Sequence, residues 1–236
     1  MAFQEIVHQF FTEGDAYDTE ILQLLPVYEE MLANLLDHIW MDTNEPLHIL
    51  ELGCGTGNLS QLMAHTFPNS ALTLVDYSAT MIEHAEEKLK KYPNTVKTVV
   101  SDFALLEFEP ESFDLVISSL ALHHLSDPQK AAFYQTMFGW LKPGGKFRCA
   151  DQCMLLPKSK GFPHLIERWK AWAKRNGGAD ETIERWLEHI HTADHYAPLK
   201  AHMMWLIGSG FVDVDCYWRN LFWTVFGAAK PLYIND

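Results

Sequence analysis

From His48 to Gln152 the chain alternates short apolar strand-like runs with helix-like runs, and this rhythm leaves few folds open. The runs read His48–Gly53 strand, Asn58–Thr66 helix, Ala71–Asp76 strand, Ala79–Lys91 helix, Val96–Asp102 strand, Phe113–Ser119 strand, Pro128–Leu141 helix and Lys146–Gln152 strand. Such alternation predicts parallel strands joined by right-handed helical crossovers, an α/β fold with helices on both faces. At 236 residues the chain suits one α/β core with elaborations better than two full domains.

The flanks break the rhythm. Residues 1–45 read as a helical cap, with Ile21, Leu24, Leu25, Tyr28, Leu32, Leu35, Leu36 and Ile39 at helical spacing before the breaker Asn44-Glu45-Pro46. Residues 46–236 form the main domain, and the stretch 157–198, helical and rich in Trp and His, reads as a lid inserted over the ligand edge of the sheet. A helix over Leu199–Ser209, a turn at Gly210, and the runs Val212–Tyr217 and Leu221–Gly227 predict a closing hairpin.

Charge and composition narrow the partners. Lys and Arg number 18 against 31 Asp and Glu, a net charge of −13 that opposes approach to nucleic-acid backbones and anionic bilayers. No window of about 18 apolar residues predicts a spanning helix. The four cysteines contain no C-x-x-C pair and the first residues lack a basic, then apolar, leader, so the expectation is a reducing, cytoplasmic compartment, with monomer and homodimer both left open.

The strongest local signal is Glu51-Leu52-Gly53-Cys54-Gly55-Thr56-Gly57, which follows an apolar strand and opens a helix. Glycines there let the backbone turn and approach a ligand where a Cβ would collide. Asp76 ends the next strand, in position to bind ribose hydroxyls.

These residues resemble the class I S-adenosylmethionine-dependent methyltransferases, whose first motif commonly reads E/D-x-G-x-G-x-G. Asp76-Tyr77-Ser78 is similar to the second motif, with Met81 on the adenine pocket, and Ser101-Asp102-Phe103 to the third, with Asp102 at the adenine amino group and Phe103 on its ring. Phe113–Ser119, followed by Leu122-His123-His124-Leu125, looks like the fourth motif, and Leu141-Lys142-Pro143-Gly144-Gly145 like the turn before strand five. The resemblance implies a Rossmann-like seven-stranded mixed sheet of order 3-2-1-4-5-7-6, S-adenosylmethionine as cofactor and S-adenosylhomocysteine as product. It assigns cofactor binding to Tyr17, Glu51, Gly53, Cys54, Gly55, Gly57, Asp76, Tyr77, Met81, Asp102, Phe103, Ser118 and Ser119.

A looser resemblance, carried by Ala16-Tyr17-Asp18, Leu25-Pro26-Val27-Tyr28 and the stretch from Lys200 through Gly210-Phe211 to Lys230, points to the branch that includes carboxy-S-adenosylmethionine synthases. Members of that branch place an arginine in the helix before the A/S-G-F turn to hold the extra carboxylate. Trp205 stands there in this chain, which favours ordinary S-adenosylmethionine.

His123 and His124 follow a strand end that faces the expected transfer site, where a neutral imidazole accepts a proton or orients an acceptor. Asp151, at the end of strand five, is the third candidate. His189, His191, His195 and His202 suggest metal binding, with His191 and His195 on one helix face, but no H-E-x-x-H or cysteine signature accompanies them and no metal ligand is assigned. Ten aromatics, Trp169, Trp172, Trp186, Tyr196, Trp205, Tyr217, Trp218, Phe222, Trp223 and Phe226, read mainly as core, with a cage for a cationic acceptor as the alternative. The expected activity is methyl transfer to O, N or C of a small molecule. The alternatives are a carboxy-S-adenosylmethionine synthase-like conversion and a non-catalytic cofactor-binding subunit.

Overall fold

The computed structural model describes residues 21–25, 27–155, 159–192 and 194–232, the side chains of residues 190–192 excepted. Its seven strands are β1 (His48–Leu52), β2 (Ala71–Asp76), β3 (Val96–Val100), β4 (Phe113–Ser119), β5 (Leu141–Gln152), β6 (Val212–Asn220) and β7 (Trp223–Ala229). They form one mixed sheet of order 3-2-1-4-5-7-6, the predicted Rossmann-like arrangement. Strands one to five run parallel, while β7 lies antiparallel to β5 and β6.

The helices are α1 (Tyr28–Asp37), α2 (Asn58–Thr66), α3 (Ala79–Leu89), α4 (Asp127–Trp140), α5 (Phe162–Arg175), α6 (Asp180–Thr192) and α7 (Leu199–Gly208). Strand side chains alternate between the two faces of the sheet. Ile49, Leu72, Leu74, Leu115 and Ile117 therefore join one core with α1, α2, α3, α5 and α6, while Leu50, Leu52, Val75, Val116 and Phe147 join a second with α4 and α7.

Local chemistry sets the element ends. Ser126 and Gln129 form a capping box that starts α4 at Asp127, one residue earlier than the pattern suggests. β5 begins at Leu141 rather than Lys146, because Leu141 pairs with Phe113 before residues 142–145 bulge and pairing resumes at Leu115 with Lys146. The N-terminal cap is not one continuous helix: a helical segment over residues 21–24 is separated from α1 by Val27, whose φ of +66° no α-helix accommodates.

On α5 the buried residues Phe162, Ile166, Trp169 and Ala173 recur at helical spacing, and the Trp169 indole donates to the Leu24 carbonyl at 2.6 Å, tying this helix to the N-terminal segment. Trp169, Phe222, Trp223 and Phe226 are all buried in the two cores. Among the described residues no helix is long and apolar enough to cross a membrane.

Candidate active site

The carboxyl ends of β1, β2 and β4 open onto a cavity of about 580 Å³, where ligands bind in open α/β sheets. Its floor is the glycine loop after β1. The Gly53 and Cys54 amides both donate to the Val75 carbonyl, at 2.8 and 3.0 Å, which stitches the loop to β2. Gly53 has φ +70°, and a Cβ there would sit 2.2 Å from the Ala121 Cβ, so only glycine fits. A Cβ on Gly55 would meet no protein atom within 4 Å, so the loop borders open space where a ligand can rest on bare backbone. Gly57 serves packing instead: a Cβ would approach the Ala85 Cα in α3 to 2.8 Å.

Asp76 holds the loop from the side, one carboxylate oxygen accepting from the Gly55 amide and the other from the Ser78 amide, each at 2.9 Å. Glu51 is buried and accepts from the Ser60 hydroxyl at 2.7 Å. Burial pushes its carboxyl up to about 8, against the Ser60 bond and with the help of Asp76. Burial likewise pushes the Cys54 thiol far up, which leaves it an inert wall residue.

Of the expected cofactor residues, Glu51, Gly53, Cys54, Gly55, Asp76, Tyr77, Met81, Asp102, Phe103 and Ser119 line this cavity. Gly57 and Ser118 do not; Ser118 is buried and its hydroxyl donates to the Leu52 carbonyl at 2.8 Å. Tyr17 lies outside the described residues. Ile21, Tyr28, Thr56, Asn58, Ser78, Ser101 and Gln129 line the cavity without having been assigned to the cofactor, and His189, weighed only as a metal ligand, lines it too. Ser78 and Ser101 belong to the second and third motifs as quoted, whereas nothing local ties His189 to this cavity.

The other end of the cavity is a cluster of imidazoles around two carboxylates. His123 and His124 sit on a 3-10 turn, Leu122–His124, just after β4. His123 is buried: its Nδ1 meets an Asp151 oxygen at 2.6 Å, and its amide donates to the other oxygen at 3.0 Å. Asp151 therefore stands behind His123, away from the cavity, and His124 is the member of the pair that lines it. Burial pushes the His123 pKa down, but the Asp151 and Asp194 carboxylates outweigh it and the pKa is raised; burial pushes Asp151 up, and His123 outweighs it in turn.

Asp194 completes the cluster. Its Oδ1 lies 3.2 Å from His124 Nδ1, 3.5 Å from His189 Nε2 and 3.6 Å from His123 Nε2, while Oδ2 accepts from the Tyr196 hydroxyl at 2.8 Å. Buried Lys130 donates to the Leu125 and His195 carbonyls and so clamps the loop after β4 to the loop after α6. Of the four lid-region histidines, His189 alone is seen to join the cluster. His195 contributes backbone bonds, buried His202 is held by the Tyr134 hydroxyl at 2.6 Å and pushed down to about 4 by burial, and the His191 side chain lies outside the described residues. None of the ten C-terminal aromatics is among the cavity-lining residues, so the cage is not formed there; Trp205 packs against His202.

The methyltransferase domain family matches residues 49–145, from β1 into the start of β5. Phosphoethanolamine N-methyltransferase 1 of Triticum aestivum is 31% identical over 137 residues, 58% of this chain and 26% of the relative. Carboxy-S-adenosyl-L-methionine synthase of Chromohalobacter salexigens is 27% identical over 181 residues, 74% of this chain and 65% of the relative. The chain carries a methyltransferase domain, of the class I S-adenosylmethionine-dependent kind. The crystal structure of phosphoethanolamine N-methyltransferase 2 of Haemonchus contortus with S-adenosyl-L-methionine matches 98% of this chain, and 60% of its own, with a TM-score of 0.65 at 18% identity, a likeness of fold. Against the curated relatives it matches first, the chain spans from about a quarter to just under two thirds of their length.

Proposed function

We propose that this methyltransferase moves the methyl group of S-adenosylmethionine to O, N or C of a small-molecule acceptor, leaving S-adenosylhomocysteine. The observation that carries this reading is a single cavity with the glycine loop and Asp76 at one end and His124 and His189 at the other. The residues fit the cofactor: Gly55 leaves its backbone bare toward open space, and Glu51 offers a buried carboxyl to a cationic group. Bound there, the cofactor supplies a sulfonium methyl reactive without further activation.

The chain then has to hold and align. Asp76 takes the ribose hydroxyls, Met81 and Phe103 hold the adenine, and Asp102 meets its amino group. His124 borders the acceptor end and orients the acceptor, while Asp151 positions His123 behind it. Shielding the pair from water and fixing the approach is where the rate gain comes from.

The 27% identity to a carboxy-S-adenosylmethionine synthase favours a second reading, a conversion of the cofactor itself; Trp205 in place of the carboxylate-holding arginine weighs against it. Native mass spectrometry of freshly purified protein, followed by identification of any released small molecule, separates the two. S-adenosylmethionine or S-adenosylhomocysteine is the expected finding. A carboxylated adduct would promote the second reading, and an empty protein that also fails to bind added cofactor would overturn both.

A further inference from the structure

The Asp194 side chain is 2% exposed, and its Oδ1 has no hydrogen-bond partner although three imidazole nitrogens surround it. A buried carboxylate oxygen left in this state costs free energy unless something else satisfies it. The separations indicate what does. At 3.2, 3.5 and 3.6 Å they are long for hydrogen bonds to an ionised carboxylate. The His124 and His123 separations, 3.2 and 3.6 Å, instead lie near the roughly 3.3 Å edge between two ligand atoms about 2.05 Å from a shared zinc-type ion. The donor atoms of His123, His124 and Asp194 all fall within 4.8 Å of one another.

We propose that His123 Nε2, His124 Nδ1 and Asp194 Oδ1 bind one divalent transition-metal ion of the zinc or cobalt class at the acceptor end of the cavity, with the fourth position left to the acceptor. Imidazole and carboxylate donors suit such ions. The outer contacts are those a metal site needs: Asp151 holds His123 Nδ1 at 2.6 Å, which fixes the ring and frees Nε2 as the ligand, and Tyr196 anchors the far oxygen of Asp194. Lys130, bonded to the two loops that carry the ligands, keeps them in register. Resting on the methyl-transfer reading above, the site also selects an acceptor class. No lysine or arginine lines the cavity among the described residues, so the ion supplies the positive charge that favours ionisation of an acceptor hydroxyl.

The test is a titration of chelator-treated protein with Co²⁺, followed by visible absorption, with S-adenosylhomocysteine affinity measured by calorimetry on the same samples. One equivalent with intense tetrahedral d–d bands is expected. His124→Ala and Asp194→Asn should each weaken binding by at least about 100-fold, and Asp151→Asn, acting through His123, by about 10- to 100-fold. His195→Ala is the control and should leave Co²⁺ affinity unchanged. The His124 and His189 side chains are about half exposed, so alanine at either spares the core; circular dichroism checks this. Absence of the bands, or Co²⁺ binding that survives both His124→Ala and Asp194→Asn, overturns the proposal. S-adenosylhomocysteine binding without Co²⁺ would sink the metal site alone, and Co²⁺ binding without the nucleoside would sink the methyl-transfer reading alone.

Discussion

The two ends of the cavity are built on opposite principles. At the cofactor end the polar groups are already satisfied: Asp76 takes two backbone amides, the Gly53 and Cys54 amides share the Val75 carbonyl, and Glu51 has Ser60. At the acceptor end, three imidazoles crowd a carboxylate oxygen that none of them bonds. The first arrangement holds its shape without a ligand; the second stores an unmet demand. A scaffold that grips a common cofactor gains from rigidity, whereas the end that selects an acceptor carries the specific chemistry.

If that contrast is sound, a change behind the acceptor wall should act first on stability. Asp151→Ala leaves His123 buried without its carboxylate, a loss of about 3–5 kcal/mol for breaking a buried pair, read from urea unfolding of the metal-free protein. The half-exposed His124, changed to alanine, should shift the same curve by less than about 0.5 kcal/mol. Equal shifts would show that the cluster is not organised around the Asp151 and His123 pair.

At the cofactor end the same logic predicts loss of binding. Gly53→Ala puts a Cβ 2.2 Å from the Ala121 Cβ on a backbone with φ +70°, and the loop must move to relieve it. Affinity for S-adenosylhomocysteine should fall about 100-fold, roughly 3 kcal/mol; wild-type affinity in calorimetry would mean the loop is not the floor of the cofactor site. Asp76→Ala should be milder, weakening binding by about 1–3 kcal/mol, the range for losing a charge-assisted partner. An unchanged constant would mean the ribose is held elsewhere.

The same division governs what the sequence disclosed. The cofactor end was legible because its parts are contiguous: Glu51–Gly57, Asp76–Ser78 and Ser101–Phe103 each place their residues by local turn geometry. Gly57 and Ser118 belong to such motifs, yet one clears α3 and the other bonds Leu52, roles that a pattern does not distinguish from ligand contact. The acceptor end was only half legible. His123, His124 and Asp151 sit at strand ends that the alternation locates, but Asp194 and His189 reach them by folding back of a segment some 65 residues later, and no periodicity announces that closure. The parallel strands followed from the strand rhythm and the sheet order from the family resemblance, while the break at Val27 turns on a single φ angle that the helical spacing concealed.

The smallest predicted effect tests whether Glu51 faces the positive charge of the cofactor. Its carboxyl is raised from 4.5 to about 8, so in the empty protein the group is protonated near neutrality. The sign for stability follows: the contribution is fully present below pH 4.5 and is lost as pH rises through about 8, because the folded state holds the proton longer. Binding a cationic group beside it should expel that proton. Calorimetry at pH 7 in two buffers of different ionisation enthalpy should then record release of most of one proton per cofactor bound, and affinity should rise by about threefold between pH 7 and 8, the roughly fivefold gain from ionising Glu51 being partly offset by the cofactor's amino group, whose pKa is about 8. Above that the rise should stop, since at most a further twofold is left to gain from ionising Glu51 while the amino group goes on losing its charge. Glu51→Gln should abolish the release at pH 7. Should release persist in that variant, the titrating group lies elsewhere, and the satisfied character ascribed to the cofactor end would have to be rebuilt around it.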